Sequence, residues 1–328
     1  MLALVDLPSR DKPDPDAEVI AEIQRLKRDL NAVILAHYYQ EDDIQDIADF
    51  VGDSLELSRR ACQTNAETIV FCGVHFMAET AKILNPDKRV LLPDLDAGCS
   101  LADRCPPDEF RRWVDAHPGH AVVTYINSSA AVKALSDVIC TSSNAPDVVR
   151  SLPPDQPVLF APDRHLGRWV AKQTGRELKL WPGFCIVHEQ FSLRRIVQLR
   201  ARHVGALLIA HPECEEEVLA QANFIGSTSA LLRYVETSPA KSFIVATEAG
   251  ILHSMRRRRP DATLIAAAPN SGCDCALCPY MRLNTLEKIA RCMGQRRPEI
   301  TVEGEIATRA RRALERMLAV SPPPRSQS

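Results

Sequence analysis

The sequence predicts an α/β protein of three small layered units, each with a short parallel sheet, arranged around a common axis. The first observation is a repeat: an apolar run ends in a polar residue at His37, Tyr125 and His211, and a hydroxyl residue follows 17 positions after each. The second is that apolar runs of about four to eight residues alternate with stretches of helical period, which is typical of parallel strands joined by helices. A unit used three times brings its equivalent positions together around one axis.

Each unit continues from its hydroxyl residue to a cysteine. The hydroxyl residues are Ser54, Ser142 and Thr228, and the corresponding cysteines are Cys99, Cys185 and Cys278. The separations along the chain from hydroxyl to cysteine are similar, at 45, 43 and 50 residues. We therefore expect the polar strand ends, the hydroxyls and the thiols of all three units to face one pocket.

Unit boundaries are expected where proline or charge interrupts the pattern. They divide the chain into residues 1–104, 105–189 and 190–328. Residues 1–17 are polar and proline-bearing, which predicts a loose N-terminal segment, and the third unit is expected to end in a helix and a loose, proline-rich tail.

Helix signals fill the segments between the strands. Ile44, Ile47, Ala48 and Val51 form one apolar stripe at helical spacing, and Gly52 is expected to end that helix. The three hydroxyl residues each precede a further helical stretch (LELSRRA, APDVVRSL and ALLRYVE). Side chains at such positions, in the segments 52–54, 141–144 and 227–229, cap the helix by accepting its backbone N–H groups. Alternatively, three helix N-termini on one axis bind a small substrate that carries carboxylate or phosphate groups.

The composition and the apolar runs of the sequence indicate which partners and which compartment to expect. Of the 328 residues 45% are hydrophobic, the formal net charge is −2 and the isoelectric point is about 6.5, so we expect no nucleic-acid partner. The basic run 256–259 is interpreted as a solvated helix end. The apolar start, residues 1–5, is too short for a signal peptide and no apolar run is long enough to span a membrane, which predicts a cytoplasmic protein without a membrane partner.

The chain has 11 cysteines, an odd and high number. Because disulfides are rare in a reducing compartment, these cysteines indicate metal binding or catalysis instead. The three cysteines of the repeat each follow a strand and a turn marked by Gly98, Gly183 or Gly272, where parallel sheets carry functional loops. Three thiolates can hold zinc or an iron-sulfur cluster. Their separations of 86 and 93 residues lack the paired spacing of structural zinc sites, whereas a [4Fe-4S] cluster on three cysteines leaves one iron open as a Lewis acid.

Several long segments resemble the quinolinate synthase A family of bacterial NAD biosynthesis. They lie in the family's order between about residue 20 and about residue 318, and they include ILAHYYQ, DFVGDSLELSR, FCGVHFMAETAKIL, LPDLDAGCSLAD, YINSSAAVKA, WPGFCIVHE, GSTSALLRYV and CPYMRLNTLEKI. The resemblance implies three α/β/α domains around a pseudo-threefold axis with the active site at the centre. It also implies that Cys99, Cys185 and Cys278 bind a [4Fe-4S] cluster.

The resemblance further implies a reaction and the residues that carry it. Iminoaspartate condenses with dihydroxyacetone phosphate to quinolinate, with loss of phosphate and two waters, and L-aspartate oxidase or aspartate dehydrogenase is implied as a functional partner. The implied substrate-binding residues are His37, Ser54, Tyr125, Asn127, Ser142, His211, Glu213 and Thr228. The chemistry of four of them suits catalysis, namely His37, Tyr125, His211 and Glu213. Three further residues are expected in the same cavity: Tyr39, His188 and Glu248.

Two questions stay open at the level of the sequence. Some family members have C-x2-C-x2-C near the end, whereas this chain has Cys273 and Cys275 one residue apart before Cys278; a disulfide between the first two would be strained, so a redox switch is not supported. The residues themselves also fit another three-cysteine [4Fe-4S] hydro-lyase, or a metal-stabilised redox sensor or scaffold that needs no substrate.

Overall fold

Three sheets with one shared strand order form the centre of the molecule. The computed structural model describes residues 15–267 and 276–320. Within these residues each sheet has four parallel strands, in the spatial order second, first, third and fourth. The strands of the first sheet are β1 (Ala32–His37), β2 (Phe50–Gly52), β3 (Thr68–Cys72) and β4 (Arg89–Leu91); those of the second are β5 (Ala121–Tyr125), β6 (Val138–Cys140), β7 (Val158–Ala161) and β8 (Leu178–Leu180); those of the third are β9 (Leu207–Ala210), β10 (Phe224–Ile225), β11 (Ser242–Ala246) and β12 (Thr263–Ala266). The predicted fold class of three α/β/α layered domains with short parallel sheets is confirmed.

Helices connect the strands and flank the sheets. They are α1 (Pro15–Asp29), α2 (Asp42–Ile47), α3 (Ser54–Gln63), α4 (His75–Leu84), α5 (Ser100–Asp103), α6 (Pro107–Asp115), α7 (Ala130–Lys133), α8 (Ala145–Arg150), α9 (Arg164–Thr174), α10 (Leu193–Arg202), α11 (Glu216–Leu219), α12 (Thr228–Thr237), α13 (Ile251–Arg258), α14 (Leu286–Gln295) and α15 (Gly304–Val320), with short 3-10 turns at His188–Gln190 and Met281–Leu283. In the described part of the chain no helix has the length and apolar character needed to cross a membrane.

The N-terminal helix begins inside the segment that the sequence predicted to be loose. Proline suits the first helical position at Pro15, and Asp16 and Glu18 place negative charge near the positive end of α1. Residues 1–14, Cys273, Cys275 and the tail after Val320 lie outside the described residues, so the expectations for them stay predictions.

The helix predicted over residues 44–51 is shorter than its apolar stripe. It ends at Ile47, and the backbone of Ala48 is already extended, with ψ of 141°. Asp49 explains the change of direction, because its backbone N–H donates to the carbonyl of Ile34 and its carboxylate accepts the N–H of Ile34 at 2.8 Å. These two bonds hold the chain alongside β1, so Val51 lies in β2 and not in a helix.

The same side-chain clasp occurs once in each unit. Asp137 accepts the backbone N–H of Val122 at 2.8 Å in the second unit, and Asn223 accepts that of Leu208 at 2.9 Å in the third. In all three units the clasping residue lies 15 positions after its partner and returns a backbone N–H to the partner's carbonyl. The clasp fixes where the second strand of each sheet begins, so that the three units present equivalent strand ends.

The two C-terminal helices pack against the first two units. Helix α14 shares a core with α1, and its contributing side chains are Leu286, Ile289, Ala290, Cys292 and Met293. Helix α15 contacts α4, α7 and β6, and its buried side chains are Ala310, Ala313, Leu314 and Met317. The segment that the sequence analysis assigned to the third unit therefore closes the cores of the other two; the unit boundaries themselves stay predictions.

Asp53 joins the starts of helices from all three units. Its Oδ1 accepts the backbone N–H groups of Leu55 and Glu56, which caps α3. Its Oδ2 accepts the hydroxyls of Ser143 at 2.8 Å and Ser229 at 2.6 Å, which belong to the second and third sheets' units. The carboxylate is buried, and these four hydrogen bonds stabilise its negative charge. Asp53 therefore holds the N-terminal ends of α3, α8 and α12 close together.

We expect Asp53→Ala to lower the free energy of unfolding by about 3 kcal/mol or more. The change removes a helix cap, worth about 1 kcal/mol, and two hydrogen bonds to a charged acceptor, each worth about 1.5–3 kcal/mol. Urea unfolding followed by circular dichroism measures the loss. Asp147→Ala is the matched control, because Asp147 also lies in the first turn of a helix but is exposed, and a shift below about 0.5 kcal/mol is expected there. Equal stability of the two variants would contradict the role of Asp53.

Candidate active site

A cavity lies where the carboxyl ends of β1, β5 and β9 meet. All eleven residues predicted for the site line it: His37, Ser54, Cys99, Tyr125, Asn127, Ser142, Cys185, His211, Glu213, Thr228 and Cys278. The three residues expected beside them also line it: Tyr39, His188 and Glu248. The positions that repeat in the sequence are therefore neighbours in space.

His37 and His211 have the same protonation and the same tautomer. The backbone N–H two residues further along donates to Nδ1 in each case, from Tyr39 to His37 at 3.1 Å and from Glu213 to His211 at 3.4 Å. Because Nδ1 accepts these bonds, we assign the ring proton to Nε2. Burial lowers the pKa of His37 to about 4 and that of His211 to about 3, so both rings are neutral. The Nε2 atom of His211 lies 3.1 Å from Ser142 Oγ, where it can donate.

Glu213 is a buried carboxylate at a contact between units. Tyr125 Oη donates to Glu213 Oε1 at 2.5 Å, and His188 Nδ1 lies 2.9 Å from Oε2. Burial by itself would raise the pKa of Glu213, but the charge and hydrogen bond of His188 outweigh burial and lower that pKa to about 2. Burial and the neighbouring carboxylate raise the pKa of Tyr125 far above its usual range. The pair therefore consists of an ionised acid beside a phenol that keeps its proton.

In two units the residue that caps the helix is the one directly before the predicted hydroxyl residue. Asp53 caps α3 and Ser227 caps α12, each through its own side chain. Ser54 and Thr228 are instead the first residues of these helices, so the cap predicted in each of these two segments comes from the residue directly before the hydroxyl residue. Their hydroxyls lie at the cavity wall beside helix N–H groups, the position in which a hydroxyl can meet a bound anion.

Burial governs the chemistry of the three cysteines as well. It raises the pKa of Cys99 to about 12, and it raises the pKa of Cys185 and Cys278 above the usual thiol range. Neighbouring cysteines add to this effect for Cys99 and Cys185. These side chains are therefore neutral thiols until a metal displaces the proton.

Only one of the three predicted turn glycines is shown to be required. A Cβ on Gly183 would lie 2.5 Å from the carbonyl oxygen of Pro162, so the loop that carries Cys185 can pass there only with glycine. A Cβ on Gly98 would make ordinary contacts with the ring of Tyr280, at 3.6 Å or more. Gly272 lies outside the described residues.

One compact set of three metal-ligand atoms exists among the described residues. Cys185, His188 and Glu213 each place one donor atom within 4.8 Å of the other two. The three predicted cysteines do not form such a set, although they line the same cavity. Since the ligands of one zinc ion lie about 3.3–3.8 Å apart, the three thiols as placed do not form a site for a single ion.

The sequence analysis did not single out Asp53 or Lys133. The signal for Asp53 was its place directly before a hydroxyl of the repeat. Lys133 carried no signal, because its local pattern is that of a solvated lysine. It is fully buried, its Nζ donates to the carbonyl of Ser128, it lies 5.2 Å from the ring centroid of Phe76, and burial lowers its pKa to about 8. Lys133 thereby supports the loop of Asn127 from behind the cavity.

Comparison with known proteins places the chain in a family. The family profile described as Quinolinate synthetase A protein matches residues 21–319. The chain is 62% identical to quinolinate synthase of a Nostoc species over 304 residues, which are 93% of this chain and 94% of that protein. It is 60% identical to that of a Cyanothece species over 311 residues, 95% and 97% of the two chains, and 59% identical to that of a Synechococcus species over 322 residues, 98% and 100%. With identity this high over nearly the whole length of both partners, the chain belongs to the quinolinate synthase family.

Proposed function

We propose that this protein is the enzyme of NAD biosynthesis that condenses iminoaspartate with dihydroxyacetone phosphate to quinolinate, releasing phosphate and two waters. The observation that carries the proposal is the cavity, where cysteines, hydroxyls and acid–base residues from all three units lie together. Membership of the quinolinate synthase family supplies the identity of the reaction, and the residues of the cavity supply groups suited to each part of it.

Cys99, Cys185 and Cys278 would hold a [4Fe-4S] cluster at one wall of this cavity. The donor set fits, because thiolates are the usual ligands of such clusters and three of them leave one iron without a protein ligand. The placement supports the same group, since the thiols surround one cavity without the spacing of a single-ion site. When bound, the cluster supplies a Lewis acid for a substrate oxygen.

Neutral donors would bind the two anionic substrates. Ser54 and Thr228 offer hydroxyls at the first residues of α3 and α12, and His37 and His211 offer Nε2–H groups. Such donors suit carboxylate and phosphate oxygens. Asn127 adds an acceptor, because its Oδ1 is buried without a hydrogen-bond partner among the described residues.

Glu213 and Tyr125 would carry the proton transfers. The condensation requires a base that takes a proton from carbon and an acid that protonates a departing hydroxyl. Glu213 is ionised and can accept a proton, and Tyr125 keeps its proton and can donate it from 2.5 Å away. His37 and His211 are neutral with the proton on Nε2, so their proposed contribution is to stabilise negative charge on substrate oxygens.

Iminoaspartate is unstable in water, so another enzyme has to supply it. An imine such as iminoaspartate hydrolyses in water, so an enzyme that oxidises aspartate must deliver it freshly formed. We propose L-aspartate oxidase or aspartate dehydrogenase as the functional partner in this sense.

Anaerobic purification followed by a product assay tests the proposal. The substrates are dihydroxyacetone phosphate and iminoaspartate, which forms in situ from oxaloacetate and ammonia. A brown protein with about four irons and four sulfides should release quinolinate and phosphate in equal amounts. A colourless zinc protein, or a cluster protein that dehydrates a hydroxy acid but makes no quinolinate, would contradict it.

Loss of any cluster cysteine should abolish the cluster. Cys99→Ala, Cys185→Ala and Cys278→Ala are each expected to lose the visible absorbance, the bound iron and quinolinate formation, because two thiolates hold the cluster poorly. Cys292→Ala is the buried control and Cys62→Ala the exposed one, and Cys273→Ala should also retain the cluster. Iron analysis on the anaerobic proteins decides, and a full complement of iron in any of the first three variants removes that residue from the ligand set.

The hydroxyl residues should affect kinetics more than stability. Ser54→Ala, Ser142→Ala and Thr228→Ala each remove one hydrogen bond to a charged substrate group, which corresponds to about a 10- to 100-fold lower kcat/KM. Ser227→Ala is the matched control, because it removes the cap of α12 and should cost about 1 kcal/mol of stability with little change in kcat/KM. Steady-state kinetics and thermal unfolding on the same four proteins test this. If Thr228→Ala only lowers the melting temperature, its hydroxyl does not bind substrate.

Stability should fall when the pH is lowered from about 6.5 towards 4. An unfolded histidine has a pKa of about 6.5, whereas those of folded His37 and His211 are about 4 and 3. Between these pH values the unfolded chain binds more protons than the folded chain, so the free energy of unfolding decreases as the pH falls. It is highest above pH 6.5, and the loss at pH 5 is about 2 kcal/mol per histidine. Urea unfolding at several pH values should show a smaller loss for His37→Gln than for the wild-type chain. Identical pH profiles of the two proteins would refute the assignment of a neutral His37.

A further inference from the structure

The donor atoms of Cys185, His188 and Glu213 are already close to the spacing of a metal site. Cys185 Sγ lies 3.3 Å from His188 Nδ1, and His188 Nδ1 lies 2.9 Å from Glu213 Oε2. All three donors lie within 4.8 Å of one another. In a tetrahedral zinc site, with bonds of about 2.0–2.3 Å, ligand atoms lie about 3.3–3.8 Å apart. Sulfur, imidazole nitrogen and carboxylate oxygen are also the donors that zinc takes in proteins.

Outer hydrogen bonds orient these donors as they do in metal sites. His188 Nε2 lies 2.9 Å from the hydroxyl of Thr247, a buried residue, so Nε2 keeps a hydrogen-bond partner when the Nδ1 proton that faces Glu213 leaves to solvent and Nδ1 binds a metal. Tyr125 Oη donates to Glu213 Oε1 and leaves Oε2 directed to the histidine. Such partners fix the tautomer of a ligating histidine and the orientation of a ligating carboxylate.

The charges of the set suit one divalent ion in a buried place. The side chains of His188 and Glu213 are 3% exposed. A thiolate and a carboxylate together neutralise a doubly charged cation, and a neutral unit is the form of an ion set that a buried site tolerates best. Burial raises the pKa of Cys185, so the thiol proton must leave to solvent as the metal–sulfur bond forms.

Among the residues that the structure describes, no fourth ligand joins the set. His211 is the nearest further imidazole, with ring centroids 4.7 Å from His188, but its Nδ1 accepts the backbone N–H of Glu213 and its Nε2 faces Ser142. All three residues line the cavity, from which water or a small ligand could complete the coordination. Three protein ligands with one open position is the arrangement of zinc sites that bind water or a small ligand.

We propose that the protein without its cluster binds one zinc-type divalent ion through Cys185, His188 and Glu213, and that this ion and the cluster exclude each other because both need Cys185. The first half of the proposal stands on the three donors alone, and the second half rests on the proposed function. Zinc bound in this way would block cluster assembly until it is removed, so the metal that reaches the new chain first decides whether it becomes active.

Zinc binding to the full-length protein, stripped of iron with a chelator, tests the site. We expect one Zn²⁺ per chain by isothermal titration, and with Co²⁺ as the probe a visible spectrum with thiolate charge-transfer bands. His188→Ala and Cys185→Ala should each bind Zn²⁺ more than about 100-fold more weakly, since loss of an outer partner alone costs about 10- to 100-fold. Thr247→Val should show that smaller loss, and it keeps the proposal testable if His188→Ala does not fold.

Cys99→Ala and Cys278→Ala are the matched controls. Each removes a cluster ligand and leaves the three zinc donors, so each should bind Zn²⁺ as tightly as the wild-type chain and give the same Co²⁺ spectrum. Zinc-loaded wild-type protein should take up no iron and sulfide during reconstitution until zinc is chelated.

Two outcomes would overturn the proposal: no Zn²⁺ binding by the wild-type apoprotein, or binding that survives in His188→Ala and disappears in Cys99→Ala. Failure of the proposed function looks different, because a wild-type chain that never assembles a cluster or makes quinolinate can still bind Zn²⁺ through these three residues.

Discussion

A buried carboxylate that receives hydrogen bonds from all three units is the constraint on which the arrangement of the site depends. Asp53 Oδ1 takes two backbone N–H groups of its own helix, and Oδ2 takes the hydroxyls of Ser143 and Ser229. A buried charge is tolerated only when it is fully hydrogen-bonded, so any separation of the units would expose an unsatisfied carboxylate. Ser54, Ser142 and Thr228 are each adjacent in sequence to one of these bonded residues, and Asp53 thereby fixes the spacing of the substrate-binding hydroxyls.

Burial also determines the charge of the histidines and cysteines around the cavity. It keeps His37 and His211 neutral and the cysteines protonated, whereas Glu213 is ionised because His188 lies against it. The cavity therefore presents neutral hydrogen-bond donors and neutral thiols together with the ionised carboxylate of Glu213. The same burial explains why metal binding must release protons from the cysteines.

The sequence predicted the features that repeat at strand ends and helix starts. His37, Tyr125 and His211 were found because each ends an apolar run, and Cys99, Cys185 and Cys278 because each follows the last strand of its unit. Parallel strands carry such positions to one edge of a sheet, so a local pattern was enough to predict a shared cavity.

Features that depend on contacts distant in sequence were not predicted. Asp49 ends α2 by bonding to a strand 15 residues earlier, which no helical period records. Asp53 reads locally as a helix cap, and its two hydroxyl partners lie 90 and 176 residues away. The segment around Lys133 is typical of a surface lysine. The residue is buried because α15 and α4 of the first unit pack against α7. In each case the decisive partner belongs to another element, so the residue's own segment carries no trace of it.

The central claim is that the three units each contribute one cysteine to a single cluster inside the shared cavity. Crystals of the protein grown without oxygen, measured at the iron absorption edge, test this most directly. The account predicts one compact anomalous peak in the cavity, in contact with the sulfur atoms of Cys99, Cys185 and Cys278 and with no fourth protein ligand. Iron bound by other cysteines, or a cluster whose fourth iron is held by a protein side chain, would contradict it.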